Sequence, residues 1–213
     1  MTALRHLCLL GLGLLSHPVW GAPDSSNDSS MHTTPAPIPS APSVPTPDAG
    51  TPTQEDLQRA MARVKAEYLF RFLGYVEFPH AVVPQSDSPL VIGVLGADDV
   101  FEALADTLPM RTIGARQVVR KRLSAGDSLM GVHLLYAGRR VDLLQDPLIS
   151  QARTSPVLLV TDAPGGLAAG AVFNFLLIGD QLRFEASLDA ASRASLKVSS
   201  RVLVLAERVM GAR

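Results

Sequence analysis

The chain has 213 residues, 47% of them apolar and 18% charged, with a formal net charge of −1 and one cysteine. From Gln54 onward, 18 Lys/Arg stand against 17 Asp/Glu with no basic block and no cysteine. That excludes the charge footprint of a nucleic-acid binder, a disulfide scaffold, a thiol nucleophile and a cysteine-held metal from this part.

Nine of the 16 prolines, the only Trp and the only Cys fall in the first 53 positions. Arg5 and His6 precede an apolar run from Leu7 to Leu15, followed by Pro18 and the small-residue pattern Val19-Trp20-Gly21. This is the grammar of a cleavable export signal, predicted over residues 1–21. Nine residues of helix reach about 14 Å, too short to cross a bilayer. Cys8 lies inside the apolar run, not after it, and so reads as filler, not as a lipidation site. Residues 22–53 carry prolines at 35, 37, 39, 42, 45 and 47 and almost no large apolar groups, which predicts a disordered, extended linker. Asn27-Asp28-Ser29 matches a glycosylation sequon, a pattern common by chance in Ser-rich tracts.

Residues 54–213 are predicted to form one domain, long enough to bury about 70% of its unfolded surface. Thr51-Pro52-Thr53-Gln54 marks a helix start, and Leu57, Met61, Val64, Tyr68, Phe72 and Tyr75 follow at helical steps. Leu90 to Leu95 reads as a buried strand, with Asp98 as N-cap of a helix over Val100 to Leu108. A basic strand surrounds Val118-Val119. Val132 to Tyr136 and Val157 to Thr161 are further apolar strands, separated by a helical pattern at Val141, Leu144, Leu148 and Ile149. Strands apolar on both faces and alternating with helices imply a parallel sheet. Val172 to Ile178, the turn Gly179-Asp180 and Leu182 to Ala186 form an antiparallel hairpin that puts Arg183, Glu185 and Ser187 on a polar face. Asp189 caps a short helix, and Val202, Leu205 and Val209 stripe a last one. The fold class is an α/β sandwich: a largely parallel central sheet, helices on both faces and a C-terminal antiparallel hairpin.

No catalytic, cofactor or metal constellation emerges. Gly93-Val94-Leu95-Gly96 lacks the third glycine of a dinucleotide fingerprint. Ser195 and Lys197 are two apart where a serine–lysine pair on a helix needs three. His80 and His133 are the only histidines of the domain, and one imidazole closes no metal site. Asp162-Ala163-Pro164-Gly165-Gly166 follows an inferred parallel strand at its carboxyl end, where α/β folds hold ligands, or is a plain turn.

The ordered set of segments resembles a known family: Tyr68-Leu69-Phe70-Arg71-Phe72 and Val76-Glu77-Phe78-Pro79, then the strand from Leu90, Gly114 with its basic strand, the strands ending at Tyr136 and Asp162, Arg183 to Ala191, and Val198 to Leu203. Over residues 58 to 210 it is similar to the YfiR-like periplasmic regulators. It departs from them at Phe78, where Trp is usual, and at Ala186-Ser187-Leu188, where Ile-Asn-Leu is usual. The resemblance implies a non-enzymatic periplasmic repressor without cofactor, often a homodimer. It implies binding to the periplasmic sensor region of an inner-membrane diguanylate cyclase, lower cyclic-di-GMP synthesis and less biofilm, and sequestration by an outer-membrane, peptidoglycan-linked lipoprotein. Phe173 and Glu185 are the candidate partner-binding residues by position. A periplasmic small-molecule sensor or carrier, with its ligand near Asp162 to Gly166, is the competing reading, and an exported hydrolase a third.

Overall fold

A computed structural model describes residues 52–79 and 88–211. The predicted signal, nearly all of the predicted linker and His80 lie outside the described residues.

The first helix, α1 (Gln54–Gly74), is capped by Thr53 and not by Thr51. The Thr53 hydroxyl oxygen accepts from the Asp56 amide at 3.2 Å, and the Asp56 carboxylate accepts from the Thr53 amide at 3.1 Å. Two orphan donors are satisfied reciprocally, and these bonds hold the Asp56 carboxyl below its ordinary range. The buried face of α1 is Ala62, Ala66, Leu69, Phe72 and Leu73, whereas Leu57, Val64 and Tyr75 of the predicted stripe are exposed. Small alanines let the backbone approach closely over the first part of this face, and Leu69, Phe72 and Leu73 fill the core beyond it.

After α1 come β1 (Val76–Glu77), β2 (Leu90–Leu95), α2 (Asp98–Thr107), β3 (Thr112–Ile113), β4 (Arg116–Leu123), β5 (Leu134–Ala137), α3 (Pro147–Ala152) and β6 (Leu158–Thr161). The hairpin β7 (Phe173–Ile178) and β8 (Gln181–Ser187) follows, then α4 (Leu188–Arg193), β9 (Lys197–Val198), α5 (Ser200–Leu203) and β10 (Arg208–Met210). Eight strands form one sheet in the order β10-β8-β7-β6-β5-β2-β4-β3, and β1 pairs with β9 in a small second sheet. From β4 to β7 the neighbours are parallel, while β3 runs antiparallel to β4 and β8 antiparallel to β7.

The sheet divides the core in two. On one face α1, α2 and α4 cover an aromatic cluster in which Phe72 stacks on Phe173 at 4.1 Å and meets Phe184 edge-on at 4.9 Å. On the other, α3 and its flanking loops cover Leu95, Leu123, Leu135, Leu148, Ile149 and Leu159. Helices on both faces, the parallel core and the hairpin agree with the predicted class.

Four local expectations differ. The pattern from Val141 yields a helix only from Pro147, because Asp142 ties the amides of Leu144 and Gln145 into a turn at 2.9 and 3.1 Å, and Asp146 then caps α3. The cap of α4 is Ser187, with Asp189 inside its first turn. Asp98 is the first residue of α2 and not its cap, and Ala97 at the cap position makes no side-chain bond. The last predicted helix stops after the single turn α5; the chain then extends, the Glu207 amide donates to the Phe184 carbonyl at 2.8 Å, and β10 lies parallel to β8.

Candidate functional site

Strand register aligns one row of residues across seven strands: Leu123, Leu95, Ala137, Thr161, Asn174, Glu185 and Arg208. The row is apolar at the β4 side and polar at the β10 side. Thr161 donates its hydroxyl to the Ala137 carbonyl at 2.8 Å and accepts from the Ala163 amide at 3.1 Å. Asn174 donates its side-chain amide to Glu185 Oε1 at 3.0 Å, while Arg208 Nε reaches Glu185 Oε2 at 3.1 Å and its Nη2 bonds the same oxygen. Burying a carboxylate this deeply is costly unless it is paired and hydrogen-bonded. The Glu185 side chain is 6% exposed and that of Arg208 64%.

Neither candidate partner residue therefore presents its side chain on the surface. Phe173 is wholly buried in the aromatic cluster, and Glu185 is satisfied from inside by Asn174 and covered from outside by Arg208. Alternation along β8 sets the faces correctly, but the polar face is not solvated at Glu185 and Ser187, because Glu185 is bonded by Asn174 and Arg208 and the Ser187 hydroxyl caps α4 by accepting from the Ala190 amide at 3.1 Å. The exposed arm of this cluster is Arg208, which sequence reading missed because its strand was taken for a helix.

The Asp162 to Gly166 loop is held from within at both ends. Asp162 turns toward α1, where Lys65 Nζ meets its Oδ2 at 2.6 Å, with the two side chains only 13% and 14% exposed. The buried Tyr136 hydroxyl is pushed far above its ordinary range by burial and then by the Asp162 charge. Gly166 is pressed so tightly on Thr161 and Asn174 that a Cβ there would collide with both. At the reversal of strand order between β2 and β5, where such sheets open a ligand crevice, a Cβ on Gly138 would strike the Gly96 backbone, and the Gly138 amide donates to the Leu95 carbonyl at 2.9 Å. Two grooves flank the loop, one of about 460 Å3 between Asp162 to Gly165 and the side chains of Arg139, Asn174, Glu185 and Arg208, and one of about 400 Å3 toward Val141 to Leu144.

The other motifs resolve into packing. Gly93 is required because a Cβ would collide with Leu123 and crowd Val132. Asp98 and Asp99 fill the first turn of α2, with Arg122 paired to Asp98 and Glu102, so that helix start disfavours phosphate. His133 is buried; its Nδ1 accepts from the Val91 amide at 3.2 Å, and burial, then the Arg116 charge, lowers its pKa. Among the described residues no group of three or more His, Cys, Asp or Glu could hold a metal ion, and no hydrogen bond joins Ser195 to Lys197. No described helix is long and apolar enough to cross a membrane.

Half of the large apolar side chains left exposed among the described residues lie in two stretches of the chain. Leu177 and Ile178 sit at the hairpin end, and Val204, Leu205, Val209 and Met210 lie on and before the edge strand β10. Patches of this kind mark interaction sites more often than scattered single residues do.

A family model described as YfiR/HmsC-like matches residues 62–207. No curated protein matches the chain.

Proposed function

Because the chain belongs to the YfiR/HmsC-like family, a family of periplasmic regulators of cyclic-di-GMP signalling, we propose that it is a non-enzymatic repressor. It binds the periplasmic sensor region of an inner-membrane diguanylate cyclase and lowers cyclic-di-GMP synthesis on the other side of the membrane. On the family's pattern its working form is a homodimer, and an outer-membrane, peptidoglycan-linked lipoprotein relieves repression by sequestering it.

The observation that supports a docking role is the exposed edge strand β10, where Val209 and Met210 leave large apolar side chains uncovered beside the exposed Arg208, with Val204 and Leu205 just before it in the chain. It replaces Phe173 and Glu185 as the contact surface, with those two residues holding the strands beneath it in register. Repression then needs no chemistry. A protein that binds the inactive state of the sensor more tightly than the active one shifts the equilibrium by that difference in affinity and no more.

Deleting the gene is expected to raise cyclic-di-GMP and surface attachment, and a Val209→Asp, Met210→Asp variant is expected to fail to restore repression while remaining folded. Unchanged cyclic-di-GMP after deletion would overturn the proposal.

A further inference from the structure

A further cavity lies away from those grooves and the docking surface. It measures about 620 Å3 and sits where the end of α1, β1, β9 and the starts of β2 and β4 converge. Leu73, Val76, Phe78, Leu90 and Ile113 give it a mainly apolar wall, and its polar groups are Arg116, Lys197, Ser195 and Glu77. Both size and lining are those of a small-molecule site.

The polar groups do not balance one another. Arg116 is 9% exposed, and its Nε donates to the Ser88 carbonyl at 2.6 Å. Its Nη2 is buried without a hydrogen-bond partner, and no carboxylate among the described residues lies within ion-pair distance of it. Glu77 is exposed and sits opposite Lys197 in the β1–β9 ladder. Its neighbour His133 adds no negative charge, and the His133 ring meets Phe78 edge-on at 5.8 Å. A buried guanidinium with an idle N–H is costly unless an anion answers it. Ser195, at the rim, is the left-handed residue that ends α4, with φ at 56° and the next amide, Leu196, donating to the Ala191 carbonyl at 2.8 Å.

We propose that this cavity binds a small amphiphilic acid, its carboxylate on Arg116 with Lys197 at the rim and its apolar body against the wall around Phe78. A guanidinium with free N–H groups matches a carboxylate in both geometry and charge, and the apolar wall supplies the burial that a bare anion does not use. The inference stands independently of the regulatory reading above.

The probes are decanoate and 1-decanol, titrated into the whole chain by calorimetry. Decanoate is expected to bind saturably at one site and decanol more weakly by roughly tenfold to a hundredfold, the worth of a charge-assisted hydrogen bond. Arg116→Met is expected to erase that preference. Ile113→Trp, at the half-buried rim, is expected to abolish binding of both probes while leaving the fold intact. If Arg116→Met does not fold, the acid-to-alcohol ratio and Ile113→Trp still decide. Equal affinity for acid and alcohol, heat without saturation, or wild-type affinity in Ile113→Trp would each overturn the proposal.

Discussion

Lys65 of α1 and Asp162 at the end of β6 form an ion pair at 2.6 Å in which neither side chain is more than 14% exposed. They are 97 positions apart in the chain, and the pair pins the middle of the long helix to the carboxyl end of the parallel sheet.

Removing one partner strands the other as a buried charge. Lys65→Met is expected to destabilise the domain by about 3 kcal/mol, and the double variant Lys65→Met, Asp162→Leu to regain most of that loss. Urea denaturation of the two variants and their parent measures both numbers.

Glu185 and Arg208 separate structure from docking. Glu185→Ala takes the acceptor from Asn174 and Arg208 at once, and it should cost about 1–3 kcal/mol of stability. Arg208 is largely exposed, so Arg208→Ala should change stability by about 1 kcal/mol or less. It should weaken capture of the cyclase's periplasmic region in a pull-down. If Glu185→Ala leaves the melting temperature untouched, its placement as a structural carboxylate is wrong.

An aromatic cluster stands in the helix-side core. Phe72 touches Phe173, Phe175 and Phe184, and Phe72→Ala is expected to cost about 3–5 kcal/mol. Phe173→Ala should behave alike, losing cyclase binding only in proportion to unfolded protein, as circular dichroism run beside the binding assay would reveal.

Acid weakens the fold through His133. Burial and the Arg116 charge lower its pKa below the ordinary 6.5, so as pH falls through that value the unfolded chain takes up a proton that the folded chain refuses. Stability therefore declines from about pH 6.5 downward and levels once the folded imidazole also protonates. Denaturation midpoints of the parent and of His133→Gln between pH 7.5 and 5 test this, the variant having the flatter profile.

Which parts could be read from sequence follows from how local their causes are. Leu90 to Leu95 and the hairpin declare themselves, since a buried parallel strand is continuously apolar and a two-residue turn at Gly179-Asp180 fixes the register Phe175 to Phe184. The contact face of α1 does not, because Ala62 and Ala66 carry it and alanine has no strong pattern. β10 is the hardest case: all three residues are exposed, and what makes it a strand is the pull of Glu185 and the Phe184 carbonyl, both more than twenty positions away. The amphiphile cavity needs three distant segments brought together, and its only local trace was a run of arginines from Arg116 that reads equally well as a solvated strand.

The edge-to-face contact of Phe78 with His133 also makes the domain optically addressable. From Gln54 onward there is no tryptophan, so its native emission comes from tyrosine alone. Phe78→Trp would place a lone indole fluorophore on the cavity wall and against an imidazole whose protonation quenches it. Excited at wavelengths that tyrosine does not absorb, that one emission band would then report both occupancy of the cavity and the charge state of His133.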